Sequence, residues 1–157
     1  MEKRYNTKFL IKSGVIAAIY VVLTIILGDL SYGPVQARIS EAMTILPLYE
    51  AAAIPGLFIG CAIANFASGY GLVDIVFGSL TTLAAAYLTS KMPNKYLAVL
   101  PPILLNAFIV SIWVSKITKI PYIVNVGTIG FGEFLTAGIL GVILASVFER
   151  VTKKDMR

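Results

Sequence analysis

Long runs of apolar residues, interrupted by short polar or glycine-containing breaks, predict six helices in this chain. The first apolar run covers 9–27 and stops at Gly28-Asp29; the break up to Ile39 carries the turn formers Ser31, Gly33 and Pro34. A second helix opens near Ser40, a suitable N-cap, and runs over 40–49. At 1.5 Å per residue that is too short to cross a bilayer unless it is tilted, continued past Pro47 or partly re-entrant. Pro55 fits the first turn of a third helix over 55–68, and Gly69-Tyr70-Gly71 makes the next turn. The fourth helix covers 72–90, the fifth 96–115 with a kink or late start at Pro101-Pro102, and the glycine-rich sixth 126–148. No soluble domain, linker or internal repeat interrupts them. The expected fold is an all-α integral membrane bundle of six transmembrane helices forming one domain over 1–157.

Composition supports this. Of 157 residues, 58% are hydrophobic and 13% charged, which excludes an ordinary soluble domain. The basic N-terminus and the apolar run behind it resemble a signal peptide. The run is long enough to span, and no small-residue cleavage site follows, so it is expected to be the first transmembrane helix.

The net charge of +5 raises nucleic acid as a partner, but the basic residues lie at chain ends and in short connections, without interleaved aromatics. Membrane orientation explains them, and no nucleic acid is expected. With both termini cytoplasmic, Lys3, Arg4, Lys8, Lys12, Lys91, Lys95, Arg150, Lys153, Lys154 and Arg157 are inside. Only Arg38, Lys116 and Lys119 are then outside, as the positive-inside rule requires. The lipid bilayer of a prokaryotic cell membrane is the expected setting.

The same topology gathers acids. Asp29, Glu41, Asp74 and Glu133 all fall in the extracytoplasmic half, with Arg38 among them. Charges near hydrocarbon cost several kcal/mol, so ionisable residues there point to a functional site. A cluster of mostly one sign concentrates solute of the opposite sign. Two readings of Arg38 and Glu41, three residues apart, stand side by side: ligand contact, or an ion pair that closes the loop. Asp29 reads as a solvated helix end.

Asn65 and Asn106, amides inside apolar helices, serve either interhelical hydrogen bonds or a ligand. Aromatics near the outer surface, Tyr32, Tyr70, Trp113 and Tyr122, belong mostly to the interfacial belt, while Trp113 or Tyr70 suits stacking on a flat ligand. The candidate binding set is therefore Arg38, Glu41, Asp74, Asn65, Asn106, Trp113, Glu133 and Tyr70. On the first helix, Gly14 and Ala18, with Ala17 beside them, form a small-residue face for a partner helix or for packing within the bundle. Cys61 stands alone, which gives neither a disulfide nor metal-ligand spacing, and reads as a small buried residue.

The chain has no histidine, metal-ligand cluster or nucleophile–base pair, which argues against an enzyme, and no cofactor or metal is called for. Nor is there a phosphate-binding G-x-x-x-x-G-K-[ST] stretch. Uphill transport would draw on an ion gradient or on another subunit. From the residues alone, the ligand is a small polar or cationic solute bound from outside.

Three stretches carry a family likeness: Gly-Pro-Val-Gln-Ala-Arg-Ile-Ser-Glu-Ala (33–42), Ile-Pro-Gly-Leu-Phe-Ile-Gly-Cys (54–61) and Asp-Ile-Val-Phe-Gly-Ser-Leu (74–80). Together they resemble the QueT-type family of substrate-binding S components of energy-coupling factor (ECF) vitamin transporters, from the first helix to about Asn106. The resemblance implies a six-helix S-component fold, a transmembrane coupling subunit and two cytoplasmic ATPases. It also implies a queuosine precursor as ligand: a 7-deazaguanine such as preQ1 or preQ0, or queuine. The family's Ala-x-x-x-Ala signature would map onto Gly14-x-x-x-Ala18, with glycine in place of the first alanine. Ala37 stands before Arg38, where the family carries a larger apolar residue. Two alternatives remain open: an S component for another vitamin, such as a corrinoid, and a self-sufficient secondary transporter of a small polar solute.

Overall fold

The computed structural model describes residues 7–32 and 37–155, the side chains of Asp29 and of residues 153–155 excepted. The turn assigned to Gly33 and Pro34 and the reading of the Asp29 side chain lie outside the described residues. Within them the fold is all-helical, with six helices and no strand. They are α1 (Thr7–Ile26), α2 (Ile39–Leu48), α3 (Ala53–Ala67), α4 (Asp74–Thr89), α5 (Lys95–Thr118) and α6 (Tyr122–Thr152). By length and composition α1, α5 and α6 can each cross a membrane; α2, α3 and α4 are apolar but shorter. Most large side chains on the bundle surface are aliphatic or aromatic, including Leu10, Val22, Phe66, Phe108 and Ile143. Such an exterior suits hydrocarbon, and the chain is a membrane protein.

The short second helix is the centre of the bundle. It packs against all five others, and Ser40, Glu41, Ala42, Met43, Thr44, Ile45 and Pro47 are all buried. It is a 3-10 helix throughout. At about 2.0 Å per residue, ten residues then reach about 20 Å instead of 15 Å. This answers the length problem in part: the helix is stretched as well as short. Isolated 3-10 runs of this length are uncommon, so burial on every side must hold it.

Two glycines set the spacing of α1 and α3. A Cβ added at Gly56 would lie 2.8 Å from the Ser13 carbonyl oxygen, and one at Gly60 would lie 3.0 Å from that of Ala17. Bare backbone at these positions lets the helices touch, as small-xxx-small pairs do in membranes. Ala17, expected on a partner face, is buried here, one turn from Tyr20 and against α3. Gly14 and Ala18 point away from the bundle and are exposed.

Gly69 and Gly71 both take φ of 75°, which turns the chain sharply between α3 and α4. α5 begins as a single turn capped by Asn94, breaks at Val99 and resumes at the prolines, so the expected irregularity at Pro101-Pro102 is present. α6 starts four residues earlier than its apolar pattern implies, at Tyr122 directly after Pro121. At the end of the bundle where α2 finishes, Tyr49 donates to Glu149 (2.8 Å), Lys95 pairs with Glu149 (2.9 Å), and Lys12 pairs with Glu50. These contacts tie the end of α2 to α5, α6 and α1.

Candidate functional site

The polar interior lies at the other end of α2, where the helix begins. Three helices change there from α to the wider π form: at Asp74–Gly78 in α4, Asn106–Val110 in α5 and Phe134–Leu140 in α6. Each widened turn begins at, or directly after, a buried polar residue: Asp74, Asn106 or Glu133. Extra residues in a turn shift the helical phase, so a polar side chain can face inward between stretches whose aliphatics face out. Asn65 likewise opens the 3-10 turn that ends α3. Each of these four irregular turns thus marks a candidate site residue.

Arg38 is the hub. Its Nη1 donates to Asn65 Oδ1 (3.1 Å), its Nε to the Ser31 carbonyl (3.3 Å), and its Nη2 lies 3.7 Å from Asp74 Oδ2. The guanidinium carbon sits 5.4 Å from the Tyr32 ring centre, in cation–π range. Asn65 Nδ2 in turn donates to the Asp74 carbonyl (2.8 Å), and Trp113 Nε1 to Asp74 Oδ1 (3.2 Å). Gly78 makes room for this corner: a Cβ there would stand 2.6 Å from Asn65 Nδ2.

The loop-closing ion pair between Arg38 and Glu41 does not form. Glu41 turns to α1, where its Oε1 accepts from the hydroxyl of the fully buried Tyr20. Asn106 Nδ2 donates to Glu133 Oε1 (2.8 Å). Seven of the eight expected binding residues are therefore buried, in three hydrogen-bonded groups. Tyr70 is the eighth: half-buried, it stands outside them and reaches the Tyr32 carbonyl at 3.5 Å. Trp113 is no interfacial anchor but an interior donor that orients Asp74, its ring beside Phe77 at 6.5 Å.

What these groups leave unbonded defines the chemistry. Glu41 Oε2, Asp74 Oδ2, Glu133 Oε2, Arg38 Nη2 and Ser31 Oγ are buried without a hydrogen-bond partner in the protein. Each such atom costs about 1–3 kcal/mol, more when charged. Proteins rarely leave one uncompensated; of these five, Asp74 Oδ2 and Arg38 Nη2 face each other as an ion pair at 3.7 Å. Three acceptors face one guanidinium donor, with one hydroxyl able to do either. Three carboxyl groups against one guanidinium make the set rich in acceptors. A donor-rich solute is the complement.

Sequence reasoning missed Tyr20, Thr24 and Ser31. The signal was present on α1: Ser13, Ala17, Tyr20 and Thr24 recur at helical spacing, and all four are buried.

Charged, partly unsatisfied polar side chains buried inside an apolar helical bundle are the arrangement of a membrane protein that handles a small polar solute. The comparisons agree. The family model described as QueT transporter matches residues 10–150, and the chain belongs to this family, whose members are transporters and not enzymes. It is 28% identical over 167 residues to a protein named queuosine precursor transporter QueT from Lactococcus lactis subsp. cremoris (strain MG1363). The alignment covers 95% of this chain and 97% of that relative. No solved structure matches the chain.

Proposed function

We propose that the chain is the substrate-binding S component of an ATP-driven ECF importer and captures a queuosine precursor, with preQ1 the best fit, from outside the cell. The observation that carries this reading is the set of buried side-chain atoms left without a hydrogen bond: Glu41 Oε2, Asp74 Oδ2, Glu133 Oε2, Arg38 Nη2 and Ser31 Oγ. A 7-deazaguanine bearing an aminomethyl group presents N–H donors on its Watson–Crick edge, another at N9, and an ammonium, against few acceptors. Carboxylate oxygens of Glu41, Asp74 and Glu133 accept from those donors, and Arg38 Nη2 donates to the ring carbonyl. The substrate named for the Lactococcus relative supports the same choice.

In this reading the six helices all span, both termini are cytoplasmic, and the site opens outward across the plasma membrane. Arg38 is consumed by the site, so Lys116 and Lys119 are the basic side chains left at the outer connection between α5 and α6. Energy comes from partners: a transmembrane coupling subunit and two cytoplasmic ATPases. The exposed Gly14 and Ala18 offer the coupling subunit a surface that a helix can approach closely.

Trp113, the chain's one tryptophan, touches Asp74 and supplies the assay. Titrating detergent-solubilised protein with preQ1, preQ0 and guanine should change its fluorescence saturably, with preQ1 binding most tightly. An absence of saturable binding to all three, in protein that unfolds cooperatively on heating, would overturn the assignment.

A further inference from the structure

The first helix reaches into the site at two successive turns. The Tyr20 hydroxyl donates to Glu41 Oε1, and both residues are almost fully buried. One turn on, Thr24 donates its single proton to the Tyr20 carbonyl (2.8 Å), so in the 2.7 Å contact between Thr24 Oγ1 and Ser40 Oγ the serine donates. Ser40 and Glu41 lie in the opening turn of α2, which α1 therefore holds by two side chains.

The depth at which Tyr20 sits is set by α3. A Cβ at Gly60 would lie 3.0 Å from both Tyr20 Cβ and the Ala17 carbonyl oxygen, and one at Gly56 would press on Ser13. Anything that widens the α1–α3 gap withdraws Tyr20 from Glu41. A carboxylate with one oxygen anchored has the direction of the other determined. Here that other oxygen is Oε2, which has no partner in the protein.

We propose that Tyr20 is a positioning residue of the binding site: it aims Glu41 Oε2 at the ligand, and displacement of α1 from α3 loosens that aim and releases the ligand. The inference rests on the reading above, that the site takes a cationic deazaguanine. It also joins the two faces of α1. Gly14 and Ala18 look outward while Ala17 and Tyr20 look inward, so force applied to the outer face reaches the ligand through one side chain. By linkage, ligand binding then biases the helix by the same free energy.

The test titrates wild type, Tyr20→Phe, Glu41→Gln, the double variant and Gly60→Ala with preQ1, following Trp113 fluorescence. Tyr20→Phe should weaken preQ1 binding about tenfold, the loss of one charge-assisted hydrogen bond. The double variant should bind no more weakly than Glu41→Gln alone, because Tyr20 acts through Glu41. Gly60→Ala removes no polar group and should reproduce the Tyr20→Phe loss; it carries the test if Tyr20→Phe does not fold. Binding of preQ1 by Tyr20→Phe within twofold of wild type overturns the inference, as does a Tyr20→Phe loss that adds in full to that of Glu41→Gln. Failure of the wild type itself to bind any deazaguanine instead removes the functional reading, and this inference with it.

Discussion

Gly78→Ala is the smallest change that should damage the binding corner, and helix propensity predicts the opposite. Alanine in a helix interior is favoured over glycine by about 1 kcal/mol. In this structure, however, the added methyl would stand 2.6 Å from Asn65 Nδ2 and 3.2 Å from Asp74 Oδ1, where ordinary contact begins near 3.4 Å. The amide must retreat by about 0.8 Å, the difference between those distances. That breaks its 2.8 Å bond to the Asp74 carbonyl and disturbs the 3.1 Å bond it accepts from Arg38. A neutral hydrogen bond contributes about 0.5–1.5 kcal/mol and one to a charged group about 1.5–3. Roughly 2–4.5 kcal/mol is therefore lost against about 1 gained, a net cost of about 1–3.5 kcal/mol. Shared about equally between folding and binding, this should lower the unfolding temperature and weaken preQ1 binding by roughly two- to twentyfold. Thermal unfolding in detergent and Trp113 titration measure the two parts. Asn65→Ala removes the group that clashes, so the Gly78→Ala/Asn65→Ala pair should be little worse than Asn65→Ala alone. A Gly78→Ala protein that is more stable than wild type and binds as well would show that the Asn65–Asp74–Arg38 corner is not packed as described.

Three further outcomes are expected. In cells carrying the Cys61→Ala background, cysteine at the exposed Lys116 should react with an impermeant thiol reagent and cysteine at the exposed Lys91 should not; the reverse pattern inverts the proposed orientation. Gly14→Leu and Ala18→Leu should prevent co-purification with the coupling subunit while ligand affinity changes by less than about twofold, since both positions face away from the bundle. Retention of the complex by both would move the partner surface elsewhere. Lys12 bonds to Glu50, beyond the end of α2, and holds that carboxyl below its ordinary value of 4.5. The pair's contribution is present above that value and is lost as pH falls through the lowered one. Lys12 is exposed, so the effect should stay under about 1 kcal/mol, and Glu50→Gln should remove only that part of the acid destabilisation seen in pH-dependent unfolding.

Hydrophobic segmentation alone was enough to place all six helices, because a residue's preference for hydrocarbon over water is local and survives any arrangement of neighbours. Rarity made the buried polar residues legible in the same way. Arg38, Glu41, Asp74, Asn65, Asn106 and Glu133 stand out because charges and amides are costly in an apolar chain, and the structure buries all six. Who pairs with whom was not legible. Arg38 and Glu41 are near in sequence, yet one turns to Asp74, 36 residues on, and the other to Tyr20, 21 residues back. Spacing along a helix constrains only local pairs, whereas these bonds depend on how α1, α2 and α4 cross. Tyr20 escaped notice for a related reason: a tyrosine in an apolar run satisfies the hydrophobic pattern whether its hydroxyl reaches a membrane surface or a carboxylate. The 3-10 form of α2 and the π turns at Asp74, Asn106 and Glu133 also belong to the tertiary structure. Neither is favoured by a free helix, and both persist only where surrounding helices bury the segment and the polar side chains find partners inside.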